Sequence, residues 1–163
     1  MKWLVLIALT AIAATNARAE DPFACVKGND ASKGIFTFDI WRAFTVDNAT
    51  TSFRLCELSS KSFLRVQIKS EKKLSVRTVD LSKEQVASLH ELYDAALGVN
   101  FKDDTSGTDG SGWCLEANRM NYLKACFYTP TYNSHERGIA PFVALGTALW
   151  EMAQFGNGNG ELR

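Results

Sequence analysis

The chain has 163 residues, of which 46% are hydrophobic and 22% charged, and its 18 lysines and arginines balance 18 aspartates and glutamates. This composition is that of an ordinary globular protein, so it argues against a disordered, collagen-like or nucleic-acid-coating chain. The length suits one domain that buries enough apolar surface to fold without a metal.

The first nineteen residues have the three parts of a secretory signal peptide. Lys2 supplies the positive start, residues 3–14 form the apolar run, and Ala17-Arg18-Ala19 matches a small-x-small cleavage site. We therefore expect cleavage and a single mature domain, 20–163, in the periplasm or outside the cell, by a bacterial or a eukaryotic route. No second apolar segment is long enough to span a bilayer. The mature chain would carry 16 basic and 18 acidic residues, so its charge predicts no nucleic-acid partner.

Four cysteines follow the predicted signal, and an even number in an oxidising compartment predicts two disulfides. Three pairings are possible. We favour Cys25 with Cys56 and Cys114 with Cys126, because each of these bridges closes a loop within one half of the chain. The sequence contains no Cys-x-x-Cys spacing, so thioredoxin-like and zinc-ribbon sites both lack their ligand geometry.

Alternating apolar and polar side chains predict an antiparallel sheet. In the segment 35–46, Phe36, Phe38 and Ile40 fall on one face, whereas Asp39 and Trp41 fall on the face expected to meet water. Short polar turns between such segments are typical of a meander. Further strands are predicted at 52–58, 63–69, 74–79, 113–117 and 122–128.

Two segments change to a helical period. Ser82 followed by Gln85 matches a capping box, which predicts a helix over about 82–97. Pro141 opens a second helix, about 141–155, that is apolar nearly all round, and for it we favour burial in the core over contact with a partner. The tail 156–163 is expected to be flexible. The predicted fold is therefore α+β: one domain with an antiparallel meander sheet of about six strands and two helices packed on it.

Patterns for catalysis and metal binding are weak. Ser111 lacks the glycine two positions before it that a nucleophile elbow needs. We expect His90 to lie on the surface of the helix or half-buried, with its hydrogen bonds satisfied locally. His135 has no visible nucleophile beside it. The polar loop 103–112 lacks EF-hand ligand spacing, so we favour an exposed, solvated loop over a calcium site. We predict no cofactor and no metal, and we lean against an enzyme.

The remaining signal is a set of side chains suited to recognition, because aromatic residues and arginine anchor protein interfaces. For any one aromatic residue alone, packing beneath the loops or the second helix is the simpler explanation. Together the residues predict a binding surface carried by loops. Its candidate members are Trp41, Asp103, Asp104, Asp109, Tyr128, Tyr132, His135, Glu136 and Arg137.

Three functions fit these patterns. The first is a disulfide-stabilised binding protein, for instance an inhibitor or immunity-type protein that blocks an enzyme or toxin by filling its cleft with the loop 103–112 or 129–137. The second is a small periplasmic hydrolase that uses His135 with a carboxylate such as Glu136 or Glu116. The third is a subunit of a cell-envelope assembly, with the final helix as its partner surface.

Overall fold

A computed structural model describes residues 21, 23–26, 34–42, 48–107, 110–117 and 122–153. They form a single α+β body, as predicted, in which two helices lie on one antiparallel sheet of six strands. The predicted signal peptide 1–19 and the tail 156–163 lie outside the described residues. The elements are β1 (Phe36–Arg42), β2 (Thr50–Glu57), β3 (Ser62–Lys69), β4 (Leu74–Asp80), α1 (Lys83–Leu97), β5 (Ser111–Ala117), β6 (Leu123–Tyr128) and α2 (Ala140–Met152).

The strand order is β4-β3-β2-β1-β5-β6, with every neighbour antiparallel. The first four strands form the predicted meander. After α1 the chain returns to the free side of β1, so β5 pairs with the first strand and β6 becomes an edge. This return places β1 inside the sheet, between two partners far apart in the sequence. The end of the first predicted strand, 43–46, lies outside the described residues.

One face of the sheet carries the core. Phe36, Phe38 and Ile40 of β1 are all buried, which confirms the alternation predicted for this strand. The capping box between Ser82 and Gln85 is present at the start of α1. From this helix Tyr93 stacks on Phe36, with the ring centroids 4.8 Å apart.

Helix α2 completes the same layer and packs against α1. Phe142, Leu145, Gly146 and Leu149 are buried, which confirms that this nearly all-apolar helix belongs to the core. Pro141 lies in its first turn, as predicted. Among the described residues no helix is long and apolar enough to cross a membrane.

Both predicted disulfides are present. Cys25–Cys56 ties the segment 23–26 to β2, and Cys114–Cys126 joins directly opposite positions of β5 and β6. Neither bridge lies in the core layer between the sheet and the helices. Two disulfides in one small domain fit proteins of an oxidising compartment, such as secreted or periplasmic ones.

Gly146 tests how tightly α2 is seated. A Cβ added there lies 2.6 Å from Cε3 of Trp113 and 2.9 Å from Cε1 of Phe38. Helix propensity alone favours alanine over glycine by about 1 kcal/mol, but overpacking a core costs about 1 to 3 kcal/mol. We expect Gly146→Ala to lower the free energy of unfolding by about 1 kcal/mol, the middle of the range that these two opposing effects leave, as measured by urea denaturation.

The matched control is Ala144→Gly on the exposed side of the same helix. It should lose about 1 kcal/mol from propensity alone. A stabilising effect of Gly146→Ala would show that the two ring systems yield to the added methyl group and that the packing is looser than described.

Candidate binding site

Residues that are far apart in the sequence meet at one end of the sheet. The strand register places Trp41 of β1 opposite Gly112 of β5, and Gly112 opposite Tyr128 of β6. The loop 103–110 leads into this end of β5, and the loop 129–138 leaves this end of β6. We refer to these three residues and two loops as the Trp41 end.

Trp41 lies on the face of the sheet opposite the helices, the helix-free face, as the alternation predicted. Its side chain is 38% exposed. The indole ring lies so close over the backbone of Gly112 that a Cβ there would overlap Cε2 and Nε1 of the ring. Because Gly112 has no side chain, the large aromatic ring can lie directly against the backbone of the sheet.

The predicted exposed loop 103–112 is in part buried, so that prediction is wrong for particular residues. The Asp103 side chain is only 9% exposed, and Ser111, which begins β5, is 1% exposed. The physical reason is that Asp103 finds a cation 34 residues later, Arg137, which no local pattern reveals. Asp104 is exposed, as predicted, and Asp109 lies outside the described residues.

Arg137 uses all five of its N–H donors. Nε and Nη2 donate to the two carboxylate oxygens of Asp103, at 3.2 and 2.5 Å. The remaining three hydrogen bonds go to the carbonyl oxygens of Tyr128, Thr129 and Tyr132, at 2.8 to 2.9 Å. With a side chain 11% exposed, Arg137 holds the loop 129–138 from inside and does not present its charge to solvent.

The ion pair also sets the ionisation of Asp103. Hydrogen bonds from the Arg137 guanidinium lower the pKa of this carboxyl below its ordinary value of 3.8, although burial acts in the opposite direction. Thr105 adds a hydrogen bond from its hydroxyl, 2.9 Å long. Asp103 is therefore charged at neutral pH and stabilised by that charge.

Residues 101–107 pass from the helix side of the sheet to the helix-free face. At their start, the ring of Phe101 lies 6.4 Å from that of Phe127, which faces the core. Further along, Gly107 lies so close to Tyr128 that a Cβ there would be 2.6 Å from Cε1 of the ring. Residues 101–107 thus pass the end of the edge strand β6, and both Gly107 and Gly110 lie close to the tyrosine ring.

The loop 129–138 exposes its tip while its base is fixed. Tyr132 is 63% exposed, and His135 and Glu136 are exposed beside it. Backbone hydrogen bonds brace the turn, among them the bond from Tyr132 N–H to the Thr129 carbonyl and that from Gly138 N–H to the His135 carbonyl. Three predicted binding residues are therefore presented to solvent on a braced loop.

The two histidines differ in their hydrogen-bond partners. Among the described residues, His135 makes no hydrogen bond to a carboxylate, and Glu116 lies four residues along β5 from Gly112. His90 is half-buried, and its Nε2 lies 2.5 Å from Oε1 of Glu57. The expectation of a satisfied histidine is confirmed, but its partner is on β2 and is not local in the sequence.

Asp39 is the residue whose surroundings the sequence did not reveal. It lies on the helix-free face, two residues before Trp41 and opposite Ser52 of β2. Burial raises the pKa of its carboxyl, a hydrogen bond with Ser52 lowers it, and nearby Glu116 raises it further. Lys124 and Arg54 act weakly in the other direction. A half-buried carboxyl with a raised pKa is a recurrent mark of functional sites.

Arg137→Lys tests the role of the guanidinium. Lysine keeps the charge, but its ammonium group cannot donate two hydrogen bonds to Asp103 and three to the carbonyl oxygens at the same time. We expect the free energy of unfolding to fall by about 2 to 3 kcal/mol, with faster amide hydrogen exchange at Tyr132 and Gly138. Arg65→Lys, on the helix-free face, is the matched control and should cost less than about 1 kcal/mol. Equal effects would contradict the role assigned to Arg137.

The ion pair also predicts a pH dependence. Because the folded-state pKa of Asp103 is lowered, its contribution is fully present above the unfolded value of 3.8 and is lost as pH falls through the folded value. We expect the wild type to lose more stability between pH 5 and pH 3 than Asp103→Asn, as measured by urea denaturation at each pH. Parallel acid profiles for the two proteins would contradict this assignment.

Comparison of the chain with models of protein families, with curated proteins and with solved structures found no match. What the Trp41 end does is therefore inferred from the chemistry of its own side chains. These are the ring of Trp41 packed on Gly112, the exposed Tyr132 on a loop held by hydrogen bonds, and the half-buried carboxyl of Asp39.

Proposed function

We propose that the protein is an exported binding protein of inhibitor or immunity type, and that the Trp41 end binds a partner protein and blocks it sterically. The proposal takes residues 20–163 as the mature domain, released from a signal peptide at 1–19. Its partner would be an enzyme or toxin outside the cytoplasm, with a cleft that the loop 129–138 fills.

The single observation that carries the proposal is that Arg137, inside that loop, uses all five of its N–H donors in hydrogen bonds. Its hydrogen bonds hold the turn before any partner arrives, so binding need not order the loop. Loops of protein inhibitors gain affinity in this way, because rigid loops lose less conformational entropy on association. A loop held rigid by a buried arginine is therefore better suited to binding than a flexible, solvated loop would be.

The exposed side chains support the same function. Tyrosine and tryptophan are enriched among the residues that contribute most to protein interfaces, and Tyr132 and Trp41 are two of the large apolar side chains that the protein leaves exposed. Asp104 and Glu136 add negative charge at the same end, which favours association with a basic cleft. Tyr132 is therefore expected to enter the partner, with Trp41 at the rim of the contact.

Export is supported by two independent features. Both disulfides would be reduced in an ordinary cytosol, and residues 1–19 have the composition of a signal peptide. The alternative of an envelope subunit bound through α2 has less support, because four residues of that helix are buried in the core. The hydrolase alternative lacks a carboxylate partner for His135 among the described residues.

The experiment compares two tyrosines of nearly equal exposure at opposite ends of β6. Tyr132 is 63% exposed and Tyr122 is 66% exposed. The mature protein is immobilised on a resin and incubated with an extract of extracytoplasmic proteins from its source. The captured protein is then purified, and its binding to each variant is measured. We expect Tyr132→Ala to raise the Kd at least tenfold, about 1.4 kcal/mol, whereas Tyr122→Ala leaves it within twofold.

Light scattering should show a complex of fixed stoichiometry, and the partner's own activity should fall in that complex. A captured protein that forms no such complex would contradict the proposal. Equal weakening by the two tyrosine variants would place the contact elsewhere on the surface and would also contradict it.

A further inference from the structure

One carboxylate of the helix-free face, that of Asp39, has a neutral hydroxyl as its hydrogen-bond partner. Asp39 lies near the centre of this face, between Cys114 of β5 and Ser52 of β2. Its hydrogen bond with Ser52 is a bond to a neutral group, and among the described residues Asp39 forms no ion pair. A half-buried carboxylate of this kind is stabilised when a cation reaches it.

Two cations of the chain, Arg54 and Lys124, act on Asp39 through their charge, and neither forms an ion pair with it among the described residues. The Arg54 guanidinium lies 4.3 Å from the centre of the Phe23 ring, donates to the Phe23 carbonyl at 3.1 Å and faces Asp21 at 3.5 Å. Lys124 is directly opposite Glu116 in the register of β5 and β6. Both cations lie toward the end of the sheet away from Trp41, so the Trp41 side of Asp39 is free of them.

Trp41 stands on that side. Two residues along an extended strand are about 7 Å apart and point to the same face, so the indole and the carboxylate are neighbours on the surface. One side of the ring lies on Gly112, and the side chain remains 38% exposed. The exposed side of an indole attracts a cation, and guanidinium groups stack on it most often.

We propose that Trp41 and Asp39 together form a receptor for one arginine side chain of the partner protein, whose guanidinium stacks on the indole and donates to the carboxylate. This inference rests on the proposed function and names the chemistry of the partner at that site. The stacked ring supplies apolar contact for the planar group, and the carboxylate supplies its charge complement.

The surroundings of Asp39 favour a cationic occupant over a neutral one. Burial and the nearby Glu116 raise the pKa of this carboxyl, so the charged form is disfavoured in the free protein. A bound guanidinium reverses that effect, because an opposite charge at contact distance favours the ionised form. The site therefore gains more from a cation than an ordinary surface carboxylate does.

The experiment uses a small probe and the full mature protein. N-acetyl-L-arginine amide is titrated against the ¹⁵N-labelled protein, with N-acetyl-L-citrulline amide as the neutral probe of nearly the same shape. The reporter is the indole N–H signal of Trp41, assigned by its loss in Trp41→Phe. We expect saturable shifts with the arginine probe, with a Kd of about 1 to 10 mM, and none with citrulline.

Asp39→Asn should weaken the probe at least tenfold, and Glu116→Gln on the same face should change its Kd less than twofold. Because the raised pKa means that the charged carboxylate opposes folding, Asp39→Asn should also raise the melting temperature. A lower melting temperature would show that the carboxylate is structural and would overturn the proposal. Equal binding of citrulline, or equal loss in the two variants, would overturn it as well.

The outcome is separable from that of the proposed function. A partner that loses affinity for Tyr132→Ala but not for Asp39→Asn leaves the binding function in place and removes the receptor. Binding of the arginine probe with the expected variants, in a protein that forms no stable complex with any partner, supports the receptor and removes the binding function.

Discussion

The arrangement of the Trp41 end depends on the five hydrogen bonds that the guanidinium of Arg137 donates. This group joins the loop 103–110 to the loop 129–138, and it also takes the carbonyl of Thr129, whose φ of 40° is unfavourable for a β-branched residue. Such a backbone conformation persists only where the surroundings enforce it. One side chain thus joins two loops and holds a strained turn, so the exposed Tyr132 lies on a segment that is already fixed.

The sheet supplies the second constraint, which is its two-sidedness. Both helices cover one face, so every second residue of each strand points away from the core layer, onto the other face. Alternate residues of β1 therefore point to opposite faces: Phe36 and Phe38 lie in the core, whereas Asp39 and Trp41 face outward. Because β5 returns to pair with β1, Gly112 comes beneath Trp41. The face that we propose as a binding surface is therefore a consequence of strand order as much as of side-chain composition.

The sequence predicted most of the fold, because strand alternation, the capping box at Ser82 and the paired cysteines are local signals. The site was predicted only as a set of residue types. Its geometry depends on contacts between distant positions, such as Arg137 with Asp103 and Trp41 with Gly112, and no periodicity encodes a contact over such a separation. The same limit explains why a run of polar residues suggested a solvated loop, although Asp103 is buried by its partner.

The packed core and the interactions that fix the proposed binding surface occupy different parts of this molecule. The core, with its stacked Phe36 and Tyr93 and its tightly seated Gly146, stabilises the fold on the helix side. The disulfides act elsewhere, since Cys114–Cys126 ties β5 to the edge strand that carries the Trp41 end. With β6 held on one side by that bridge and its following loop held by Arg137, the surface is fixed by interactions that do not depend on a partner. A face prepared in this way can retain a half-buried carboxylate such as Asp39, because the rest of the domain offsets its unfavourable energy.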